Sequence, residues 1–311
     1  MAYVLAYDIG TTGVKTCLFR IDEKITLLEA ASGGYGLYIM ENGGAEQDAD
    51  EWWEAMCHTT AHVFEKTEIR PEQIEGLSFC SQMQGIVLVD KEGKPVRRPM
   101  SYMDQRASEE IKKGIAHGIQ IAGANVWKLL KSLRITGAVS SSVKDPMWKY
   151  KWIEAHEPEN FKRADKWLDV KEYLICRATG NCIMTEDSAY ATLLYDTKKK
   201  AWSEPLSRMF GIHMEHLPRI IRSEDQAGVL SETAAGELGL PAGIPVFGGG
   251  GDASLIGVGA GCVNVGDTHM YCGTSGWVTT VTDRQMVDVT AMIAAIVGAS
   301  AGKYNYFAEM E

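Results

Sequence analysis

One short pattern occurs near both ends of this 311-residue sequence and limits what the chain can fold into. Residues 3–9 predict a buried strand, Gly10-Thr11-Thr12-Gly13 follows it as a tight turn, and residues 14–21 predict the returning strand. The pattern returns as residues 267–272, Gly273-Thr274-Ser275-Gly276 and residues 277–281. Two predicted strands joined by a short glycine-containing turn predict a β-hairpin. Two such hairpins at opposite ends of the chain predict two related α/β domains that face each other across a cleft.

The segment between the hairpins contains both helix and strand signals. Asp48 with Glu51 three residues later is typical of a helix start, and the predicted helix runs to about residue 64. Two apolar runs, 74–80 and 85–90, predict strands. Further helices are predicted over residues 104–115, 146–155, 168–179, 231–238 and 253–261. We therefore expect a first domain over residues 1–247 and a second over 248–311, which is short for a lobe of comparable size.

Composition excludes several classes of protein. The sequence has 31 Lys and Arg against 41 Asp and Glu, a net charge of −10, so it offers no basic surplus for binding nucleic acid. No apolar run approaches the roughly 18 residues that span a membrane, and the N-terminal residues do not resemble a signal peptide. The seven cysteines are scattered and include no Cys-x-x-Cys pair, which predicts neither a disulfide framework nor a zinc site. These features predict a cytoplasmic protein with reduced cysteines.

The first hairpin turn carries residues suited to binding phosphate. Glycines let the backbone approach a ligand closely, and successive N–H groups in a turn can bind phosphate oxygens. Thr11 and Thr12 add hydroxyl groups, Lys15 adds a positive charge, and Asp8 ends the strand where a carboxylate could hold Mg²⁺. The pattern alone is also compatible with an ordinary hairpin. The chain contains no Gly-x-x-x-x-Gly-Lys-Ser/Thr motif, which excludes the P-loop class.

Three other groups of polar residues are candidates for a site. Asp252 follows four glycines, Gly248 to Gly251, and could accept a proton from a hydroxyl group, although Asp is also a common helix N-cap. Gln82, Met83 and Gln84 lie between two apolar runs, and amides both donate to and accept from sugar hydroxyls. Asp104 and Arg106 offer a carboxylate and a guanidinium at a predicted helix start, where a cap with a surface ion pair is the alternative.

Four motifs in order resemble the FGGY family of carbohydrate kinases. They are Tyr7-Asp8-Ile9-Gly10-Thr11-Thr12, Glu46-Gln47-Asp48-Ala49-Asp50-Glu51-Trp52-Trp53, Met103-Asp104-Gln105-Arg106 and Gly248-Gly249-Gly250-Gly251-Asp252. The resemblance implies a ribonuclease-H-like α/β domain of the actin-like ATPase superfamily, with a mixed sheet and flanking helices. The first part of a second similar domain would follow it.

The resemblance also implies an activity and a role for each site residue. It implies transfer of the γ-phosphoryl group of ATP to a hydroxyl of a small sugar, with Asp252 as the base and Asp8 supporting Mg²⁺. Gly10 to Gly13 with Lys15, and Gly273, Thr274 and Ser275 of the second turn, would bind the phosphates from opposite sides. Gln82, Met83, Gln84, Asp104, Arg106 and Asp252 would bind the sugar.

The acceptor is less sharply defined by these residues. Met83-Gln84-Gly85 resembles the xylulokinase loop, which usually carries Met-His-Gly, and differs from the Arg-Glu pair of glycerol kinases. A ketopentose such as xylulose or ribulose, or a similar sugar acid, is the expected acceptor. Two rival interpretations stay open: a sugar-binding remnant without catalysis, and an actin-like or chaperone-like ATPase. The sequence also leaves a homodimer open.

Overall fold

A computed structural model describes residues 1–115, 120–121, 124–272, 276–288 and 293–310. The helices, in chain order, are α1 Ala49–Glu65, α2 Ser108–Ile115, α3 Val126–Thr136, α4 Pro146–His156, α5 Pro158–Arg163, α6 Val170–Thr179, α7 Glu186–Ala191, α8 Glu204–Phe210, α9 Glu232–Leu238 and α10 Asp252–Gly259. The strands are β1 Ala2–Ile9, β2 Gly13–Ile21, β3 Ile25–Gly34, β4 Tyr38–Ile39, β5 Ala45–Glu46, β6 Ile74–Ser81, β7 Val87–Val89, β8 Gln120–Ile121, β9 Ala124–Asn125, β10 Lys166–Leu168, β11 Ile183–Thr185, β12 Tyr195–Asp196, β13 Ala201–Trp202, β14 Arg219–Ile221, β15 Gln226–Val229, β16 Pro245–Phe247, β17 Gly250–Gly251, β18 Thr268–Cys272, β19 Gly276–Thr282, β20 Val287–Asp288, β21 Ile293–Val297 and β22 Tyr304–Met310.

The central sheet is mixed and has seven strands in the order β15-β16-β6-β1-β2-β3, with β17 beside β6. The predicted first hairpin is confirmed, since β1 and β2 pair antiparallel from Ala2 opposite Ile21 to Ile9 opposite Val14. Strands β6, β16 and β17 then add in parallel. Three antiparallel strands followed by parallel ones, with helices against the sheet, agree with the predicted ribonuclease-H-like arrangement.

Strand β3 was not among the strands predicted from the sequence. It pairs along the whole of β2, from Gly13 opposite Gly34 to Ile21 opposite Ile25. Most of its side chains are exposed or half-buried, because β3 lies at the edge of the sheet. An edge strand without a buried face lacks the apolar alternation by which strands are recognised.

Helices α1 and α6 pack on the central sheet, α9 packs against both helices, and all three contribute to one core. Asp48 caps α1 by accepting the N–H of Asp50, as predicted. Glu51 does not complete a capping box, because its carboxylate accepts the N–H of Gly36 and the hydroxyl of Tyr38. The buried Trp52 of α1 meets the ring of Tyr173 of α6 edge-on, with the ring centres 6.2 Å apart.

The middle of the chain has a core of its own, and the last strands form a second sheet. Trp148, Tyr150 and Trp167 are buried together there, with the rings of Tyr150 and Trp167 stacked 5.0 Å apart. The second sheet has the order β18-β19-β22-β21-β20 and begins with the predicted second hairpin. Gly273, Thr274 and Ser275 of its turn lie outside the described residues. The division at residue 247 stays a prediction.

One expectation about the cysteines is wrong. Cys176 and Cys182 form a disulfide, whereas the sequence predicted only reduced cysteines. The physical reason is local: α6 ends at Gly180, whose left-handed conformation (φ 76°) turns the chain back, so Cys182 returns to the last turn of the helix. The other five cysteines are unpaired. Within the described ranges, no helix has the length and apolar character needed to cross a bilayer.

Candidate active site

Three neighbouring parallel strands end at one edge of the central sheet. Ile9, the last residue of β1, lies opposite Ser81 of β6, and Ser81 lies opposite Gly251 of β17. The residues that follow these strands are the first hairpin turn, Gln82 and Asp252 respectively. Ligands bind at the carboxyl ends of parallel strands in such sheets. The fold therefore brings together three groups of residues that are far apart in the sequence.

The first hairpin turn borders an open groove of about 390 Å³. The tips of β2 and β3 form its other wall. Every residue of the first hairpin that was predicted to bind phosphate or metal lines it, namely Asp8, Gly10, Thr11, Thr12, Gly13 and Lys15.

Two side chains from elsewhere hold the carbonyl groups of this turn. The hydroxyl of Tyr35 lies 2.6 Å from the carbonyl oxygen of Gly10 and 3.0 Å from that of Gly13. The backbone N–H of Tyr35 donates to the carbonyl of Thr12. The Gln47 side-chain amide donates to the carbonyl of Thr11 at 2.8 Å. In the described part of the chain, the N–H groups of Thr11 and Thr12 have no protein partner. The turn thus keeps N–H donors free for an anion.

Tyr35 and Gln47 were not predicted as site residues. Gln47 belonged to a recognised motif but carried no assigned role, and Tyr35 lies in a glycine-rich stretch for which no element was predicted. The signal that could have found Tyr35 is a single aromatic residue in that stretch, which needs a partner for its hydroxyl when buried. Burial, with a smaller effect of the Asp8 charge, raises the pKa of Tyr35, so this hydroxyl stays a donor.

Asp252 is the first residue of α10, and Gly251 occupies the N-cap position in its place. Its carboxylate accepts the N–H of Ala253 at 2.7 Å. Burial, with smaller contributions from the charges of Asp8 and Asp187, raises the pKa of Asp252 to about 6. A carboxylate with such a pKa is a suitable proton acceptor near neutral pH.

The glycines before Asp252 are enclosed by neighbouring atoms. Gly249 has a φ of 63°, and a Cβ there would lie 1.9 Å from the carbonyl oxygen of Phe79. A Cβ on Gly251 would lie 2.1 Å from the sulfur of Met83. The absence of side chains at these glycines lets the segment lie this close to β6 and to Met83. Met83 therefore packs directly beside the residue that precedes Asp252.

Gln82 links the second strand end to the phosphate turn. Its N–H donates to the carbonyl of Ile9 at 2.8 Å, and its side-chain amide donates to Gln47 at 2.9 Å. Gln47 in turn donates to Thr11. The side-chain oxygen of Gln82 is buried and has no hydrogen-bond partner among the described residues. A buried acceptor without a partner costs free energy, and the hydroxyl of a ligand would satisfy it.

Asp104 and Arg106 precede α2 and form a buried ion pair. The Asp104 carboxylate is fully buried and accepts the N–H of Ala45 at 2.9 Å and the Arg106 guanidinium at 2.7 Å. Arg106 also contacts Glu46 at 2.6 Å and lies over the ring of Trp152. The surface ion pair considered as the alternative is thus buried instead. A direct contact of Asp104 with the acceptor stays a prediction.

The residues at the groove fit a magnesium ion that arrives with phosphate. Mg²⁺ keeps several waters and is commonly bound by one or two carboxylates together with substrate phosphates. Asp8 supplies one exposed carboxylate at the groove. Among the described residues, no cluster of three His, Cys, Asp or Glu side chains could hold a metal by itself.

Comparison with known proteins places the chain in a family. A model of the "FGGY family of carbohydrate kinases, N-terminal domain" matches residues 3–259. The chain is 29% identical over 280 residues to the xylulose kinase of Staphylococcus xylosus, which covers 89% of this chain and 54% of that protein. It is also 29% identical over 290 residues to a gluconokinase of Bacillus subtilis, covering 92% of this chain and 53% of that protein.

Solved structures show the same fold. The crystal structure of xylulose kinase from Rhodospirillum rubrum matches with a TM-score of 0.88 at 23% identity, over 99% of this chain and 60% of that one. A xylulose kinase from Lactobacillus acidophilus matches with a TM-score of 0.85, also at 23% identity, over the same 99% and 60%. The chain spans about half the length of the curated relatives it matches. The predicted fold class is confirmed, and the chain belongs to the FGGY family of carbohydrate kinases.

Proposed function

We propose that this chain carries the sugar site and part of the phosphate site of an ATP-dependent kinase that phosphorylates a hydroxyl of a small sugar. The observation that carries the proposal is the meeting of the phosphate turn, the Gln82 loop and Asp252 at one sheet edge. Phosphoryl transfer needs reactants held in line and negative charge neutralised more than it needs covalent help. These three groups supply an anion site, hydroxyl ligands and a base.

Each group has a distinct part in the proposed reaction. MgATP supplies the γ-phosphoryl group, with ADP as the leaving group. The N–H groups of Thr11 and Thr12 and the charge of Lys15 bind phosphate oxygens, and Asp8 holds the Mg²⁺. Asp252 accepts the proton of the sugar hydroxyl as the oxygen of that hydroxyl bonds to phosphorus and the bond to the ADP oxygen breaks.

The proposed acceptor is a ketopentose, such as xylulose or ribulose, or a related sugar acid. Supporting this, the relatives include xylulose kinases and gluconokinases. The loop carries Met83 and Gln84, two uncharged side chains, and the buried Gln82 oxygen is ready to accept from a hydroxyl. We also propose a cytoplasmic location for the reaction. This localisation belongs to the same proposal.

A panel of sugars tests the proposal. Purified chain is mixed with MgATP and each of D-xylulose, L-xylulose, D-ribulose, D-gluconate and glycerol, and ADP formation is followed in parallel with thermal unfolding. We expect one ketopentose or sugar acid to raise ADP formation at least tenfold over the sugar-free rate. Equal ADP formation without sugar would favour the ATPase, and stabilisation by a sugar without ADP would favour the sugar-binding remnant.

A further inference from the structure

Gln84 has a backbone conformation that few residues other than glycine adopt. Its φ is 63°, in the left-handed region, although the residue is neither a glycine nor an asparagine, the types that most often adopt this conformation. Such strained residues persist only where their surroundings hold them, and they cluster at functional sites. Gln84 directly follows Met83, which packs beside Gly251, the residue before Asp252. The strain therefore lies in the loop that is predicted to contact the acceptor.

A buried carboxylate accepts hydrogen bonds from the backbone of this loop. Asp169, at the N-cap of α6, accepts the N–H of Gln84 at 2.9 Å and that of Gly85 at 3.0 Å. It also accepts the N–H of Val170 at 2.8 Å, so the carboxylate joins the loop to the helix. The approach is close: a Cβ on Gly85 would lie 2.9 Å from an oxygen of Asp169.

A buried lysine binds the same loop through its carbonyl group. Lys149 of α4 is fully buried, and its Nζ donates to the carbonyl of Gln84 at 2.8 Å. Burial lowers the pKa of Lys149 to about 7, and an amine donates a hydrogen bond in either protonation state. In the described part of the chain, no carboxylate lies within 4 Å of this Nζ, in contrast to the buried Lys171. Its direct contact is thus with the loop.

Lys149 and Asp169 together take up both backbone polar groups of Gln84. The side-chain amide is then the polar group of this residue that is left for a ligand. We propose that Lys149 and Asp169 are positioning residues for the acceptor, which hold Gln84 in its left-handed conformation so that its amide discriminates between sugars. The inference rests on the proposed function for its second half only. That Lys149 and Asp169 hold the loop can be tested without any sugar.

Hydrogen exchange of the free protein tests whether the loop is held. The variants are Lys149→Met and Asp169→Asn, with Lys151→Met as the control on the same helix. In the wild type we expect slow exchange at the amides of Gln84 and Gly85, because Asp169 accepts both. Lys149→Met and Asp169→Asn should each raise both rates at least tenfold. Rates in folded Lys149→Met within twofold of the wild type would overturn the proposal.

Sugar binding tests the discrimination. Dissociation constants for D-xylulose, D-ribulose and D-gluconate are measured by calorimetry, with MgATP measured separately. We expect Lys149→Met to raise the dissociation constant of the best-bound sugar at least tenfold and to leave that of MgATP within twofold of the wild-type value. Lys151→Met should change neither dissociation constant. In a Gln84→Gly background, Lys149→Met should have at most a twofold further effect, because both act through the same residue.

The outcomes separate this inference from the proposed function. If the wild type binds none of these sugars or others of the panel, the proposed function fails, and the exchange rates still decide whether Lys149 and Asp169 hold the loop. If sugars bind and folded Lys149→Met binds them as the wild type does, the positioning role is wrong and the proposed function stands. Full additivity of the effects of Lys149→Met and Gln84→Gly on sugar affinity would also contradict the positioning role.

Discussion

Gly249→Ala should be among the most damaging small substitutions in the chain. Gly249 has a φ of 63°, which costs an L-residue about 1–2 kcal/mol. The new Cβ would also lie 1.9 Å from the carbonyl oxygen, 2.8 Å from the carbonyl carbon and 2.9 Å from the nitrogen of Phe79. All three are backbone atoms of the central strand β6, so no side chain can rotate away.

The magnitude follows from these two contributions. Overpacking against a fixed neighbour typically costs about 1–3 kcal/mol. Together with the conformational cost, we expect Gly249→Ala to lower the free energy of unfolding by about 2–5 kcal/mol. The displacement would also pull Gly250 from its pairing with Cys80 and shift Asp252, so sugar-dependent ADP formation should fall as well.

Two other glycines provide matched controls. Gly239 has a φ of 68° with no atom within 4 Å of its Cβ position, so Gly239→Ala should cost only the conformational share, about 1–2 kcal/mol. Gly236, inside α9, is equally open and has no positive φ, so Gly236→Ala should stabilise by about 0.5–1 kcal/mol. Urea unfolding followed by tryptophan fluorescence measures all three. A Gly249→Ala effect no larger than that of Gly239→Ala would refute the reasoning.

Three further substitutions test the phosphate turn, the base and the buried charges. Tyr35→Phe removes the hydroxyl that binds the carbonyls of Gly10 and Gly13. We expect calorimetry to show that the variant binds MgATP about three- to tenfold more weakly, a loss of about 0.5–1.5 kcal/mol. Unchanged affinity would show that the Tyr35 hydroxyl does not hold the turn for phosphate binding. The pKa of Asp252 is raised from 3.8 to about 6, so its contribution to stability is present below about pH 4 and is lost as the pH rises through 6. In urea unfolding, Asp252→Asn should therefore be more stable than the wild type by about 1–3 kcal/mol at pH 7.5 and nearly equal to it at pH 4. A difference in stability that does not depend on pH would contradict this expectation. Lys171→Met leaves the buried carboxylates of Glu172 and Asp187 without their ion-pair partner and should lower the free energy of unfolding by about 3–5 kcal/mol. Lys112→Met, on the exposed pair with Glu109, should have a far smaller effect, and equal losses of stability would refute the contrast.

The residues that the sequence identified are those that follow a strand and carry a recognisable side chain. The first hairpin, its turn and Asp252 each occur in a short local pattern, and the pairing of the strands then brings them to one edge. Local pattern and tertiary structure agree there. Strand β3 was missed because an edge strand shows no apolar alternation, and the disulfide was missed because it depends on how Gly180 turns the chain.

The supporting residues could not be predicted, because their partners are distant in the sequence. Tyr35 lies 25 residues from Gly10, and Lys149 lies 65 residues from Gln84. A buried lysine or tyrosine has no local signature, since the carbonyl that it binds is specified only by the fold. The left-handed conformation of Gln84 is also invisible in a sequence that shows an ordinary polar residue there.

The central claim is that Asp252 is the base of a phosphoryl transfer to sugar. The most direct test follows sugar phosphate by phosphorus NMR, using the chain at saturating MgATP with the best sugar of the panel, for the wild type and Asp252→Asn. We expect the variant to bind the sugar within about threefold of the wild type and to form sugar phosphate at least about 100-fold more slowly. Turnover by Asp252→Asn within tenfold of the wild type would contradict the account, as would a wild type that binds both ligands and forms no sugar phosphate.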